Sequence, residues 1–536
     1  MEAFAKRGRK ALPKIITCPD EFVALSMADG FARVTNEPQC VIVHVDVGTQ
    51  GLAGAMHNAS RGRVPVLIFA GLSPCTIEGE IKGSRNEFIH WLQDVPDQKE
   101  IARQYCRYVT EIKTGRNVKQ MANRALQFAT SDPKGPVYMY ATREVMEEEV
   151  SYTSLDQRTW QPTSAIPLPS EGVELIAHAV VHAQSPLLLL GYSGRKPASV
   201  ASVVSLANRV PRLRVLDTGG SDMCFPANHP ASLGFSYGVH ESIETADFIL
   251  VVDCDVPWIP LACHPRPDAH IIHVDLDPLK QQINVFYIPA RQRYQADSAT
   301  ALKQLTVYLR DQKELLSILE SEPHKRAELR RVRCHSDRIH SIREMALIPS
   351  NPRDVPISPH VLISQVRLAV PHDAVFVVEP VTLMSVVYDQ IRADLPQSWL
   401  NSGGSGLGWS GGGALGARLA SDFKARAEGG VSGKIPMLTV VLNNGGWNAP
   451  RNSMLLLHPH GHGSQVTNES LHISFKPNPK YAEIANAASG GHARSVSVST
   501  VEQLLEELPG AIEQVTNGGI SVLDVQLDFK DGNAKL

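Results

Sequence analysis

Apolar residues fall along this chain in short runs of four to seven, separated by stretches with helical spacing. "CVIVHV", "GLAGAMHNASRG" and "VPVLIFAG" illustrate the rhythm near the N-terminus. β-branched runs bounded by turn residues predict strands, and three- to four-residue spacing between them predicts helices. With "KIITC" read as a first strand and "DEFVALSMADGFARVT" as a helix, residues 1–155 form one βαβ series. A second, over 165–340, has "PLLLLGY", "ADFILVVD" and "AHIIHVDLDP" as strands and "ASVASVVSLANRV" as a helix. A third, over 356–536, has "AVFVVE", "PMLTVVLNN" and "ISVLDVQL" as strands and "PKYAEIANAASGG" as a helix. The Ser- and Pro-rich stretches "SLDQRTWQPTSAIPLPSEG" and "IPSNPRDVPISP" separate them, the second preceded by a charged helical stretch from Lys313 to about Met345. Alternation of this kind predicts an α/β protein with three parallel-sheet domains.

At 536 residues and 43% hydrophobic content, the chain is long enough for that many cores. Its 52 basic and 55 acidic residues give a formal charge of -3, so nothing draws it generally to nucleic acid or to an anionic membrane. No apolar run approaches the roughly 20 residues of a membrane span. Eight scattered cysteines without a CxxC pair suit reduced thiols and a cytoplasmic location, although the basic "MEAFAKRGRKALPK" leaves organellar targeting open.

Taken singly, the candidate residues have ordinary readings. Glu21 opens a helix, where a carboxylate commonly faces the positive end of the dipole. "HVDVGTQG" is an anion-binding or simply a tight turn at a strand end, and "GGSGLGWSGGG" is a linker or a site of close backbone approach. "LNNGGW" is a turn after a strand. "HPHGHG" has neither the spacing of an HExxH helix nor a nearby cysteine, which favours a polar loop over a metal site.

In combination, "E-x5-MADGFAR", "VGTQG" ahead of "RVPVLIFAG", "VDLDP", and "GGSGLGW" ahead of "ALGARLA" resemble the thiamine-diphosphate-dependent enzymes related to acetolactate synthase and benzoylformate decarboxylase. The resemblance implies the thiamine-diphosphate-binding fold: a pyrimidine-binding domain, a central Rossmann-like domain and a diphosphate-binding domain. It implies thiamine diphosphate and Mg²⁺ as cofactors, a 2-oxo acid substrate, decarboxylation or acyloin-forming carboligation, and a homodimer or homotetramer. Glu21 would bond the aminopyrimidine ring and share a proton with it. His44 would move protons on the substrate side or be structural, and Gln93 would face substrate. Leu407 would wedge the cofactor into a bent shape, Gly404 would let the backbone approach it, and Thr382 would donate to the diphosphate. Asn444 and the Gly446 carbonyl would bind Mg²⁺. The middle domain has no dinucleotide glycine fingerprint, so no FAD is expected.

Two segments depart from the family pattern. Mg²⁺ usually takes at least one carboxylate, here expected from a Gly-Asp-Gly turn. A strand of about 5 residues, a helix of about 11 and their loops need roughly 20 to 25 positions. Only "SDFKARAEGGVSGKI", 421–435, is present, and Asp422 in it has no flanking glycines. A first βα unit ahead of "KIITC" is also missing from the pattern. These gaps point to an incomplete reading frame or a decaying paralogue. They keep two alternatives open: a non-catalytic partner subunit with impaired cofactor binding, and a 2-hydroxyacyl-CoA lyase-like enzyme.

Overall fold

A computed structural model describes residues 5–6, 13–151, 153–427 and 435–527. Two compact units emerge. The first comprises 1–163 together with 402–424, and the second 164–401 with 425–536.

The first unit is built on a parallel sheet in the order β1-β2-β4-β3, with β1 Gln39–Val43, β2 Val66–Leu72, β3 Tyr108–Glu111 and β4 Val137–Thr142. Helices α1 (Glu21–Thr35), α2 (Val45–Gly51) and α3 (Ala53–Arg61) surround its first two strands. Leu25, Leu52, Met56 and Ile68 are sealed in one core cluster, and Val137, Met139 and Ala125 form another. "KIITC" is not a strand. Residues 13–18 are irregular, Ile15 and Ile16 are exposed, and among the described residues β1 pairs with β2 alone. β-branched composition favours a strand only where a neighbour offers a ladder and a face to bury.

The Trp409–Ala427 helix packs on α1 through missing side chains. A Cβ on Gly30 would stand 2.1 Å from the Gly413 carbonyl oxygen, and one on Gly416 would stand 2.0 Å from that of Met27. Trp409 is sealed beneath Arg33, whose guanidinium lies 5.1 Å from the ring centroid and bonds Asp29 at 2.6 Å.

The second unit holds a six-stranded parallel sheet, ordered β10-β9-β8-β5-β6-β7. Its strands are β5 Pro186–Leu190, β6 Arg214–Asp217, β7 Ser232–Phe235, β8 Phe248–Val252, β9 His270–Asp275 and β10 Gln292–Gln295. β5 and β8 are buried at every position, as expected of strands covered on both faces. The strand order reverses between them, the crossing where ligands lie in open α/β sheets. Here the strand ends touch: a Cβ on Gly191 would meet the Asp253 oxygen at 2.5 Å, and one on Gly219 the Gly191 oxygen at 2.6 Å. Asp217 accepts bonds from the Gly219 and Gly220 amides beside that contact, and burial pushes its carboxyl up to about 7.

The rest of this unit carries two smaller parallel sheets. β11 (Phe376–Val378) pairs with β12 (Trp399–Asn401), and β13 (Met437–Asn443), β15 (Ile520–Gln526) and β14 (Arg494–Val498) follow in that spatial order. Both share a core that includes Leu362, Val387, Trp399, Leu504 and Val525. The charged stretch after Lys313 forms two helices, Lys313–Leu319 and Glu322–Met345. Among the described residues, no helix is long and apolar enough to cross a membrane.

Candidate active site

Glu21 is the first residue of α1, behind the N-cap Asp20, whose carboxylate accepts from the Val23 amide at 3.0 Å. Its side chain lies along the glycine face of α2. A Cβ on Gly51 would come within 2.9 Å of Glu21 Oε2, and one on Gly48 within 3.6 Å of Oε1. The two glycines of "VGTQG", one helical turn apart, thus open a groove for this carboxyl. The other side of α2 is held by a buried chain: Thr49 Oγ1 and the Tyr138 hydroxyl are 2.8 Å apart, and Gln98 Nε2 donates to both Tyr138 and the Gly71 carbonyl at 2.8 Å. Burial raises the Tyr138 phenol above its ordinary range, so it remains a neutral member of this chain.

His44 caps α2 at its N-terminal end, exposed and without a side-chain capping bond. Gln93 follows the short helix Ile89–Leu92 and is buried, while its carbonyl accepts from Ser73 Oγ. Close by, Phe88 and Leu92 are exposed at 80% and 63% and form an apolar surface.

Gly404 and Leu407 sit in the segment 402–408 ahead of Trp409. Leu407 is 63% exposed, and Gly404 is pressed against α3, where a Cβ would meet the His57 ring at 2.5 Å. A Cβ on Gly408 would lie 3.8 Å from Phe22, the residue after Glu21. The first unit therefore brings the Glu21 end of α1 and the Leu407 loop into one neighbourhood. Asn58 binds that loop and was not among the residues singled out from the sequence; its signal was an asparagine inside the buried stripe of α3.

Thr382, Asn444 and Gly446 belong to the second unit. Thr382 lies in a 3-10 turn, Val381–Leu383, beside the helix Asn448–Leu457. Val381 has φ 48°, a left-handed conformation that costs a β-branched residue on the order of 1–3 kcal/mol. "LNNGGW" is an asparagine turn at the end of β13. Asn443 Oδ1 accepts from the Gly445 amide at 3.3 Å, and Asn444 Oδ1 accepts from the Gly446 amide at 3.2 Å. Buried Asn443 also donates to Asp524 at 3.0 Å. Asp422 lies in the Trp409–Ala427 helix, in an i,i+4 pair with Arg418 at 2.6 Å. The stretch "GVSG", residues 430–433, which comes nearest to a Gly-Asp-Gly turn in 421–435 but has no carboxylate, lies outside the described residues. Among the described residues, no group of three His, Cys, Asp or Glu is placed to hold a metal, and "HPHGHG" lies in a loop and a short 3-10 turn.

Three family models match in order: the N-terminal TPP binding domain of thiamine pyrophosphate enzymes over 1–101, their central domain over 173–305, and their C-terminal TPP binding domain over 426–525. Together they account for more than half of the chain. The chain belongs to the thiamine pyrophosphate enzyme family. Within that family it is similar to the large subunit of acetolactate synthase isozyme 3 of Escherichia coli K12, 23% identical over 543 residues that cover 95% of this chain and 87% of that protein. It is 22% identical to 2-hydroxyacyl-CoA lyase 2 of Bos taurus, covering 97% of this chain and 85% of the lyase. The fold matches a thiamine diphosphate-dependent 4-hydroxybenzoylformate decarboxylase of Rhodococcus jostii RHA1 with a TM-score of 0.72 at 21% identity, over 96% of this chain and 92% of that one. The chain is therefore of the thiamine-diphosphate-dependent enzyme class, with a parallel-sheet α/β fold.

Proposed function

We propose that this chain handles a 2-oxo acid by decarboxylation or acyloin-forming carboligation, with Glu21 as the proton-handling carboxyl and Leu407 as an apolar wall. The observation that carries this reading is the placement of Glu21 on the glycine face of α2, with its neighbour Phe22 against Gly408. The glycines leave room for the Glu21 carboxyl itself, and a carboxyl held at the start of α1 in this way suits a partner of the thiamine diphosphate ring. When bound, that cofactor supplies a nucleophilic carbon and an electron sink for the loss of carbon dioxide. Glu21 would hold a proton at a ring nitrogen of the pyrimidine. His44, exposed at the N-terminal end of α2, would move protons on the substrate side or serve only as a helix cap. Gln93 and the apolar surface from Phe88 to Leu92 would orient a substrate with an apolar side chain.

The diphosphate end fits less well. Thr382, Asn444 and the Gly446 carbonyl supply neutral oxygens, and Asp422 is already in an ion pair. The diphosphate would supply anionic oxygens to Mg²⁺, but with only neutral protein oxygens among these described residues the metal should add less to cofactor affinity than a carboxylate-bearing site would allow. That observation favours a second reading, a partner subunit whose own turnover is weak. A homodimer or homotetramer suits either.

A panel of 2-oxo acids assayed for carbon dioxide release with thiamine diphosphate and Mg²⁺ separates the two. Release that falls at least a hundredfold in Glu21→Gln supports the enzyme reading. No release from any acid, with the folded protein verified, removes it and leaves the partner-subunit reading.

A further inference from the structure

The segment 402–408 is rich in glycine, and glycine has little conformational preference with which to hold a neighbouring side chain in one direction. Leu407 nevertheless projects outward between Gly406 and Gly408. Its direction is set from α3. Asn58 is fully buried there, and its carboxamide matches the backbone of a single residue: Nδ2 donates to the Gly406 carbonyl at 2.7 Å, and Oδ1 accepts from the Gly406 amide at 2.9 Å. Only a carboxamide presents a donor and an acceptor side by side in this way; a carboxylate offers acceptors alone.

The loop backbone must come very close for this pair to form. A Cβ on Gly406 would lie 2.6 Å from the Gly54 oxygen, and one on Gly403 would lie 2.2 Å from the Gly62 amide nitrogen. Ser405 Oγ stands 3.4 Å from His57 Nε2, a further tie to the same helix. Glycine at 403, 404 and 406 is therefore explained by contact with α3, and the residue left to face outward is Leu407.

We infer that Asn58 is a positioning residue: by pairing with both backbone groups of Gly406 it fixes the direction of Leu407 relative to Glu21. The inference rests on the reading that Glu21 and Leu407 border the cofactor, but the clamp itself is measurable without any cofactor. Asn58→Ala removes both bonds, Asn58→Asp keeps an acceptor for the Gly406 amide, and Gly406→Ala pushes the loop from the opposite side.

Hydrogen exchange on the full-length, cofactor-free protein, followed in peptides covering 402–409, α1 and β2, reads the clamp directly. Asn58→Ala and Gly406→Ala should speed exchange at 402–409 about tenfold or more and leave α1 and β2 unchanged, with Asn58→Asp in between. Unchanged exchange at 402–409 in both variants overturns the inference, as does a uniform loss across all three regions in the near-isosteric Asn58→Asp, which would mark a merely structural asparagine. Calorimetric titration with thiamine diphosphate and Mg²⁺ then tests the link to the site. Affinity lowered about tenfold in Asn58→Ala, and partly restored in Asn58→Asp, supports positioning; equal affinity in all forms overturns it. If the wild-type protein binds no cofactor while the exchange pattern is as expected, the cofactor reading fails and the clamp stands.

Discussion

The six-stranded sheet of the second unit and the strands that follow it use the same vocabulary to different ends. "PLLLL" in β5 and "FILVV" in β8 are buried at every position, whereas "FVV" in β11 and "MLTVVLN" in β13 are mostly half-buried. The first group lies inside one continuous ladder with apolar clusters on both faces. The second is divided between a two-stranded and a three-stranded sheet, and β13 lies at an edge. An apolar run thus predicts a strand from its own residues, but its depth of burial depends on neighbours elsewhere in the chain.

The contrast can be broken most sharply by truncation. Leu189→Ala in β5 should cost about 3 kcal/mol, in the range for fully buried leucines, and Val440→Ala in β13 about 1 kcal/mol. Urea unfolding of both variants checks this, and equal costs would mean that β13 is as well covered as β5.

A second test uses pH. Asp217 has a folded pKa of about 7, raised by burial from an ordinary value near 4. Below pH 4 both folded and unfolded chains hold the proton. Between 4 and 7 the unfolded chain releases it first, so stability falls as pH rises, and above 7 the full cost is present. Asp217→Asn should flatten that slope and add on the order of 2 kcal/mol at pH 8, measured by thermal unfolding across the window. A wild-type slope that survives the substitution would assign it to other groups.

The smallest effect is kinetic. Amides of β13 should exchange faster than those of β5 and β8 under native conditions, by about tenfold or more, because an edge strand opens locally at lower cost. Equal protection would argue that something covers the β13 edge in solution.

Much of this organisation was legible in the sequence. Runs such as "VPVLIFAG", "PLLLLGY" and "AHIIHVDLDP" became strands because their apolar residues found faces to bury, and the motif order identified the family. "KIITC" misled because its β-branched residues pair with no strand among the described residues and Ile15 and Ile16 stay exposed. Glu21 could be chosen from "MADGFAR", but its groove could not, since the role of Gly48 and Gly51 depends on how α1 meets α2. The same holds for Asn58: its partner lies 348 residues away at Gly406, a pairing no local pattern contains.

The central proposal is that Glu21, on the glycine face of α2, is the carboxyl that meets the ring of thiamine diphosphate. Calorimetric titration of the wild-type protein and Glu21→Gln with thiamine diphosphate, with and without Mg²⁺, tests it most directly. The account predicts saturable binding by the wild-type protein, at least tenfold weaker binding by Glu21→Gln, and less than a tenfold gain from Mg²⁺. No binding at millimolar cofactor, or binding indifferent to Glu21, would contradict it.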